Sequence, residues 1–262
     1  MPKEITTLDS VKARSLKDTS FTEAEDTVKQ RLIIAIDGET GSGKNRLAFS
    51  FPDPIAFLSF DPNYAKTLKE ARARRKRIFR AAYSLPVIKP DGRNADAIAS
   101  VAGDLWDKVA VDFIGAIRDP KVQTIIVDTA TELFELIKLA IYGKTVQVMQ
   151  RDLGHAYATY RQFIREVESS DKNLVLIHKM KDEYKQDKST GNRIRAGYKD
   201  TAYSVTTEVL MEKCPEEPFP DRYHARIMKC HLRPEIEYDG AGNGELVGDM
   251  ISFEALQAMV WD

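Results

Sequence analysis

The stretch Gly38-Glu39-Thr40-Gly41-Ser42-Gly43-Lys44 constrains this chain more than any other. It follows Leu32-Ile33-Ile34-Ala35-Ile36-Asp37 directly and opens a helix-compatible segment that Pro52 stops. A short, β-branched apolar run of this kind reads as a strand buried on both faces of a parallel sheet. Glycines let the following backbone curl so that successive N–H groups point inward, and the start of the helix adds its positive end. Lys44 contributes a compact cation. Gly-x-x-x-x-Gly-Lys at a strand–helix junction therefore predicts a cradle for the phosphates of a nucleoside triphosphate. Gly38, Glu39, Thr40, Gly41, Ser42, Gly43, Lys44, Asn45 and Arg46 are expected to line it. The glycine spacing is not Gly-x-Gly-x-x-Gly, which excludes a dinucleotide fold.

The motif departs from its usual form at Asn45, where Ser or Thr would offer Mg2+ a hydroxyl. An amide oxygen also coordinates hard cations, with a different reach and angle. Two readings follow: an altered metal site with slow hydrolysis, or a site that binds nucleotide and barely turns it over. The second metal ligand is expected at Asp128, which closes the apolar run Thr124-Ile125-Ile126-Val127. Asp61, after Ile55-Ala56-Phe57-Leu58-Ser59-Phe60, is a candidate for orienting or deprotonating the attacking water; the alternative is a turn or cap residue beside Pro62. His178 follows Leu174-Val175-Leu176-Ile177 and is a candidate γ-phosphate sensor, or else a satisfied polar residue at a strand end.

These apolar runs with polar C-terminal ends suit an open α/β sheet whose ligand lies along that edge. Helices are predicted over 64–82, 94–117, 131–142 and 150–169, and a mobile polar loop over 181–199. Segments 203–212 and 222–233, separated by Pro215, Pro218 and Pro220, read as antiparallel strands at the sheet edge. Residues 1–30, with five basic and six acidic residues and scattered apolar ones, read as an N-terminal arm, leaving 31–262 as the folded domain.

Lys plus Arg is 39 against 40 for Asp plus Glu, which excludes a globally basic nucleic-acid binder but leaves room for a local basic face. No apolar run has the roughly 18 residues needed to cross a bilayer, and Met1-Pro2-Lys3-Glu4-Ile5 lacks the apolar stretch of a signal peptide. Cys214 and Cys230 form neither a disulfide framework nor a Cys-x-x-Cys pair; with His224 and His231 near them, a metal site is the lesser reading beside thiols in a reducing cytosol. A cytoplasmic location is expected.

Two basic segments stand out. From Lys66 to Arg80 there are eight cations against Glu70 alone, a track for a phosphate backbone, a solvated helix face or a subunit contact. The 181–199 segment carries Lys181, Lys185, Lys188, Arg193, Arg195 and Lys199, with Tyr184 and Tyr198 available to stack on bases and Asp182, Glu183 and Asp187 diluting the charge.

Taken together, the phosphate loop, the acid after Ala56-Phe57-Leu58-Ser59-Phe60, the Ile125-Ile126-Val127-Asp128-Thr129 strand and Leu176-Ile177-His178-Lys179 resemble the RecA-like ATPase core. More closely, the chain resembles the phage-type ATP-binding proteins of single-strand annealing and recombination, over about Leu32 to Leu232. Asp61 stands where that family usually has Glu. The resemblance implies a RecA-like phosphate-loop NTPase core of α/β class, with a mostly parallel central sheet flanked by helices. It further implies ATP and Mg2+ as cofactors, a homo-oligomer with nucleotide at the subunit interface, and single-stranded DNA bound near 180–199. The alternatives are a weakly hydrolysing, nucleotide-binding interaction module without DNA binding and, less well supported, a small-molecule kinase.

Overall fold

The computed structural model describes residues 31–87, 95–144, 153–186 and 188–261. The expected N-terminal arm, the first residues of the helices predicted over 94–117 and 150–169, and Asp187 lie outside them. Residues Arg31–Asp262 form one compact unit.

In chain order the elements are β1 (Ile33–Gly38), α1 (Lys44–Ala48), β2 (Ile55–Ser59), α2 (Ala65–Ala73), β3 (Ile78–Ala82), α3 (Ala95–Arg118), β4 (Thr124–Asp128), α4 (Ala130–Tyr142), α5 (Gly154–Glu168) and β5 (Asn173–Ile177). Then come β6 (Met180–Lys185), β7 (Lys188–Arg195), β8 (Thr207–Lys213), β9 (Tyr223–Cys230), β10 (Glu245–Val247) and α6 (Phe253–Trp261). Eight strands form one sheet in the order β10-β9-β8-β1-β5-β4-β2-β3. Pairing is parallel from β8 to β3, and β8-β9 and β9-β10 are antiparallel. This is the fold class expected from the sequence, with the antiparallel strands at the C-terminal edge.

Strand alternation divides the core into two layers. Ile33 and Ala35 face a layer built with α3, α4 and α5, where Phe113 stacks on Phe163 at 3.5 Å between centroids. Ile34 and Ile36 face the opposite layer, which holds Leu47, Phe51, Leu68, Phe253 and Leu256 from the α1, α2 and α6 side. The four central strands β1, β5, β4 and β2 are buried on both faces, as their unbroken apolar runs require. No helix among the described residues is long and apolar enough to cross a membrane.

The structure corrects three local expectations. The helix predicted over 64–82 ends at Ala73: Arg74-Arg75-Lys76-Arg77 crowds like charges, Arg75 takes a left-handed conformation at φ 64°, and Ile78–Ala82 leaves as β3, paired in parallel with β2. The eight cations are thus divided among helix, turn and strand and do not share one helical face. The polar 181–199 segment is not a mobile loop; most of it is the β6-β7 ribbon, whose tight turn places Gln186 at φ 51°. No Asn-Gly pair marks that turn, which muted the signal. The strand predicted from 203 starts at Thr207, because Lys199–Tyr203 winds into a 3-10 turn.

Tyr198 is a fourth correction. It is buried and packs 5.0 Å from Tyr160, 5.2 Å from Tyr157 and 5.8 Å from Phe134, measured between ring centroids. It is a core residue with no face for a base, whereas Tyr184 on the ribbon is 64% exposed.

Candidate nucleotide site

The C-terminal ends of β1, β2 and β4 converge on a cleft of about 690 Å3. Thr40, Gly41, Gly43, Lys44, Asn45 and Arg46 line one wall, with Asp61, Asp128 and Thr129 at strand ends beside them. Ser42 N–H donates to the Glu39 carbonyl at 3.2 Å, closing the turn. Two glycines are structurally required. A Cβ on Gly38, at φ 152°, would strike the Met211 carbonyl and come within 2.6 Å of Ser42 Oγ. Gly43 precedes α1 at φ 93°, with Met211 and Tyr223 each 3.3 Å from where its Cβ would stand. The helix that follows has five residues, so its dipole is small and the loop's own N–H groups carry most of the anion affinity.

Lys44 reaches the cleft from the first turn of α1. Its ammonium donates to the Gly38 and Glu39 carbonyls, both at 2.7 Å. Burial lowers its pKa, against the pull of Asp128, Glu39, Asp37 and Asp61. Of the other residues expected to cradle phosphate, Gly38, Glu39 and Ser42 do not line the cleft. Glu39 turns its carboxylate outward to Arg193 at 2.8 Å, and Ser42 buries a hydroxyl without a hydrogen-bond partner among the described residues. Arg46 pairs with Asp249 at 2.6 Å and lies 5.8 Å from the Phe219 ring.

Asp128 is 4% exposed and accepts a hydrogen bond from Asn45 Nδ2 at 3.1 Å. Burial raises its pKa to about 6, reinforced by Asp61 and opposed by Asn45, Lys44 and Lys179. A buried carboxylate next to an amide is a hard-oxygen donor set, and its charge is unfavourable until a cation arrives; both features fit Mg2+. The Asn45 amide offers its oxygen once it turns from the contact with Asp128. Asp61 is held beside this pair, since its backbone N–H donates to the Asp128 carbonyl at 3.2 Å. Its side chain also accepts from the Asn63 N–H at 2.8 Å, the turn role that was the alternative reading.

His178 is placed differently from the expectation. It is fully buried and does not line the cleft, and neither ring nitrogen has a well-formed hydrogen bond among the described residues. Burial, helped by Arg195 and opposed by Asp37, pushes its pKa down to about 4. A neutral imidazole enclosed in the core is not positioned to touch a γ-phosphate. Lys179, the next residue, does line the cleft; it is held by Glu132 at 2.5 Å, and Glu132 N–H is in turn capped by Thr129 Oγ1 at 3.2 Å.

Other cleft residues were not assigned to it from the sequence. Lys66 and Arg74 of the basic segment face it, as do Phe219 from the β8-β9 connection and Tyr223 at the start of β9. Lys44, Arg46, Lys66, Arg74 and Lys179 stand against Asp61, Glu70 and Asp128, so the cleft is net positive and suits a polyanion. The only sequence signal at Phe219 is an aromatic between two prolines. Its nearness to the phosphate loop depends on β8 pairing with β1, which no local pattern reveals.

The AAA domain family matches residues 30–210, well over half of the chain. No curated protein matches. Among solved structures, a prototypical ATPase from the type III secretion system of pathogenic bacteria is similar at a TM-score of 0.40 and 10% identity. That likeness covers 71% of this chain and 51% of the other, so the chain spans about half the length of that ATPase. With a phosphate loop on β1, a buried acid at the end of β4 and a cationic cleft between them, the chain belongs to the AAA domain family and is an ATP-binding phosphate-loop ATPase domain.

Proposed function

We propose that the chain binds ATP with Mg2+ in this cleft and uses the bound state to control a single-stranded DNA contact on the β6-β7 ribbon, within a homo-oligomer serving annealing or recombination. Lys44 and the loop N–H groups hold the phosphates, Asp128 and Asn45 hold the metal, and Asp61 orients water. When bound, Mg2+ neutralises charge on the β- and γ-phosphate oxygens. The aromatic pair Phe219 and Tyr223, 6.2 Å apart in an edge-on arrangement, borders the cleft where a base would extend from the phosphates.

The observation that carries the DNA reading is how the ribbon is anchored. Arg195 forms a two-pronged bond to Asp37 at 2.8 and 2.6 Å, and also pairs with Glu208. Asp37 sits in β1 immediately before the phosphate loop. Arg193 reaches the loop itself at Glu39. The ribbon's Lys181, Lys185, Lys188 and Tyr184 are exposed, with Lys185 paired to Glu183 at 3.2 Å and Asp182 to Arg193, so the strip offers cations and one aromatic among balancing acids. Motion of the loop on nucleotide binding would therefore be felt by the strip. A resemblance to phage annealing proteins supports the same setting.

Fluorescence polarisation with a labelled single-stranded oligonucleotide, in a salt series with and without ATP, tests this. Binding that strengthens with ATP and falls steeply with salt is expected. Absence of binding at low salt with ATP present would leave the weakly hydrolysing interaction module as the better reading, a reading favoured by Asn45 and by the turn bond that occupies Asp61.

A further inference from the structure

The connection between β8 and β9 carries a second cluster of ligand-type side chains, outside the nucleotide cleft. Lys213 pairs with Tyr223, and the Cys214 N–H donates to the Arg222 carbonyl at 2.7 Å, which extends the ladder by one residue. Diagonal neighbours on one face of an antiparallel pair are within side-chain reach, and this register makes Cys214 and His224 such a pair. Glu217 returns through a turn whose N–H donates to the Cys214 carbonyl at 3.2 Å. As a result Cys214 Sγ, a Glu217 oxygen and a His224 ring nitrogen all lie within 4.8 Å of one another.

The imidazole is oriented for this. His224 is 8% exposed; its Nε2 is 2.8 Å from Glu217, and its Nδ1 is 3.0 Å from Glu245 Oε1 on β10. Glu245 is itself fixed by Arg226 Nε at 2.7 Å, and Arg226 also pairs with Glu212. A carboxylate on the ring nitrogen that does not bind is the usual support of a metal-binding imidazole, and Glu245 occupies that place on Nδ1 while Nε2 faces Glu217. Sulfur with nitrogen and oxygen at this spacing suits Zn2+ and not Mg2+ or Ca2+. The other cysteine and its histidine neighbour are engaged elsewhere: Cys230 Sγ lies 3.8 Å from the Thr207 hydroxyl, and the His231 ring is 2.9 Å from the Ala202 carbonyl.

We propose that Cys214, Glu217 and His224 form a zinc site, with the fourth coordination position open to solvent beside the half-exposed Glu217 side chain. The thiolate and carboxylate balance the ion's charge. The site clasps the two ends of the connection that carries Phe219 to the cleft, so zinc fixes that segment. This does not depend on what the cleft binds.

The test is zinc and cobalt binding by the metal-free full-length protein, followed by dialysis against metal-free buffer. One equivalent of Zn2+ per chain should be retained, and Co2+ should give a thiolate charge-transfer band. Cys214→Ser should abolish the band and weaken zinc at least a hundredfold. Glu245→Gln, outside the ligand set, should weaken it about ten- to a hundredfold while leaving the band. Absence of retained zinc and of any cobalt band in the wild type would overturn the site. So would a band that survives in Cys214→Ser, which would assign the thiolate to Cys230.

Discussion

Replacing Asp128 by Asn should stabilise the metal-free protein while removing its ability to hold metal. The carboxylate is buried, and its pKa is raised from an ordinary 3.8 to about 6. At ~1.4 kcal/mol per pKa unit, the ionised form costs the native state ~3 kcal/mol. Below about pH 3.8 the group is protonated in folded and unfolded chains alike, so no penalty exists. As pH rises from there, the unfolded carboxyl ionises first and the native state loses stability; above about pH 6 the loss is complete. Asn keeps an acceptor for the Asn45 Nδ2 bond, so the swap removes charge without leaving that donor unpaired. Thermal unfolding in chelator at pH 8 should place Asp128→Asn above the wild type by an amount on the order of 6–12 °C. The gap should close by about pH 4, and ATP with Mg2+ should no longer stabilise the variant. A variant less stable than wild type at pH 8, or a gap that ignores pH, would refute the reasoning.

The remaining predictions concern residues whose roles the structure sharpened. Asn45→Thr, which restores a hydroxyl, should raise steady-state phosphate release; no gain in that assay would remove the amide as the limiting feature. Tyr198→Ala should cost about 3–5 kcal/mol in denaturant unfolding, as expected for a large buried aromatic. Tyr184→Ala should leave stability unchanged and weaken oligonucleotide binding, and the reverse pattern would return Tyr198 to the surface role. His178 should stay neutral by NMR down to about pH 5. Its lowered pKa makes its stability contribution complete above about pH 6.5 and lost as pH falls toward 4, by ~3 kcal/mol; titration near 6.5 in the folded state would contradict its burial.

The central strands were legible because burial on both faces leaves an unbroken apolar run at β1, β2, β4 and β5. The phosphate loop was legible because its glycines answer to local backbone needs, which the collision at Gly38 makes concrete. What stayed hidden depended on long-range pairing. β3 was absorbed into a helix because Arg80 interrupts its short apolar run and the basic Arg74-Arg75-Lys76-Arg77 leads straight into it; only pairing to β2 makes it a strand. The ribbon read as a loop because both faces are polar, so alternation has no apolar signal to show. His178 looked functional by its position at a strand end. The Arg195–Asp37 pair that acts on its charge is set by a ribbon that the local pattern did not show.

The measurement that bears most directly on the whole account is isothermal calorimetry of ATP binding in Mg2+, comparing wild type with Lys44→Ala. A single saturable site in the wild type that disappears in the variant, with the fold of both intact by circular dichroism, is the expected result. Equal heats for both proteins, or none for either, would contradict a phosphate-gripping loop at the end of β1.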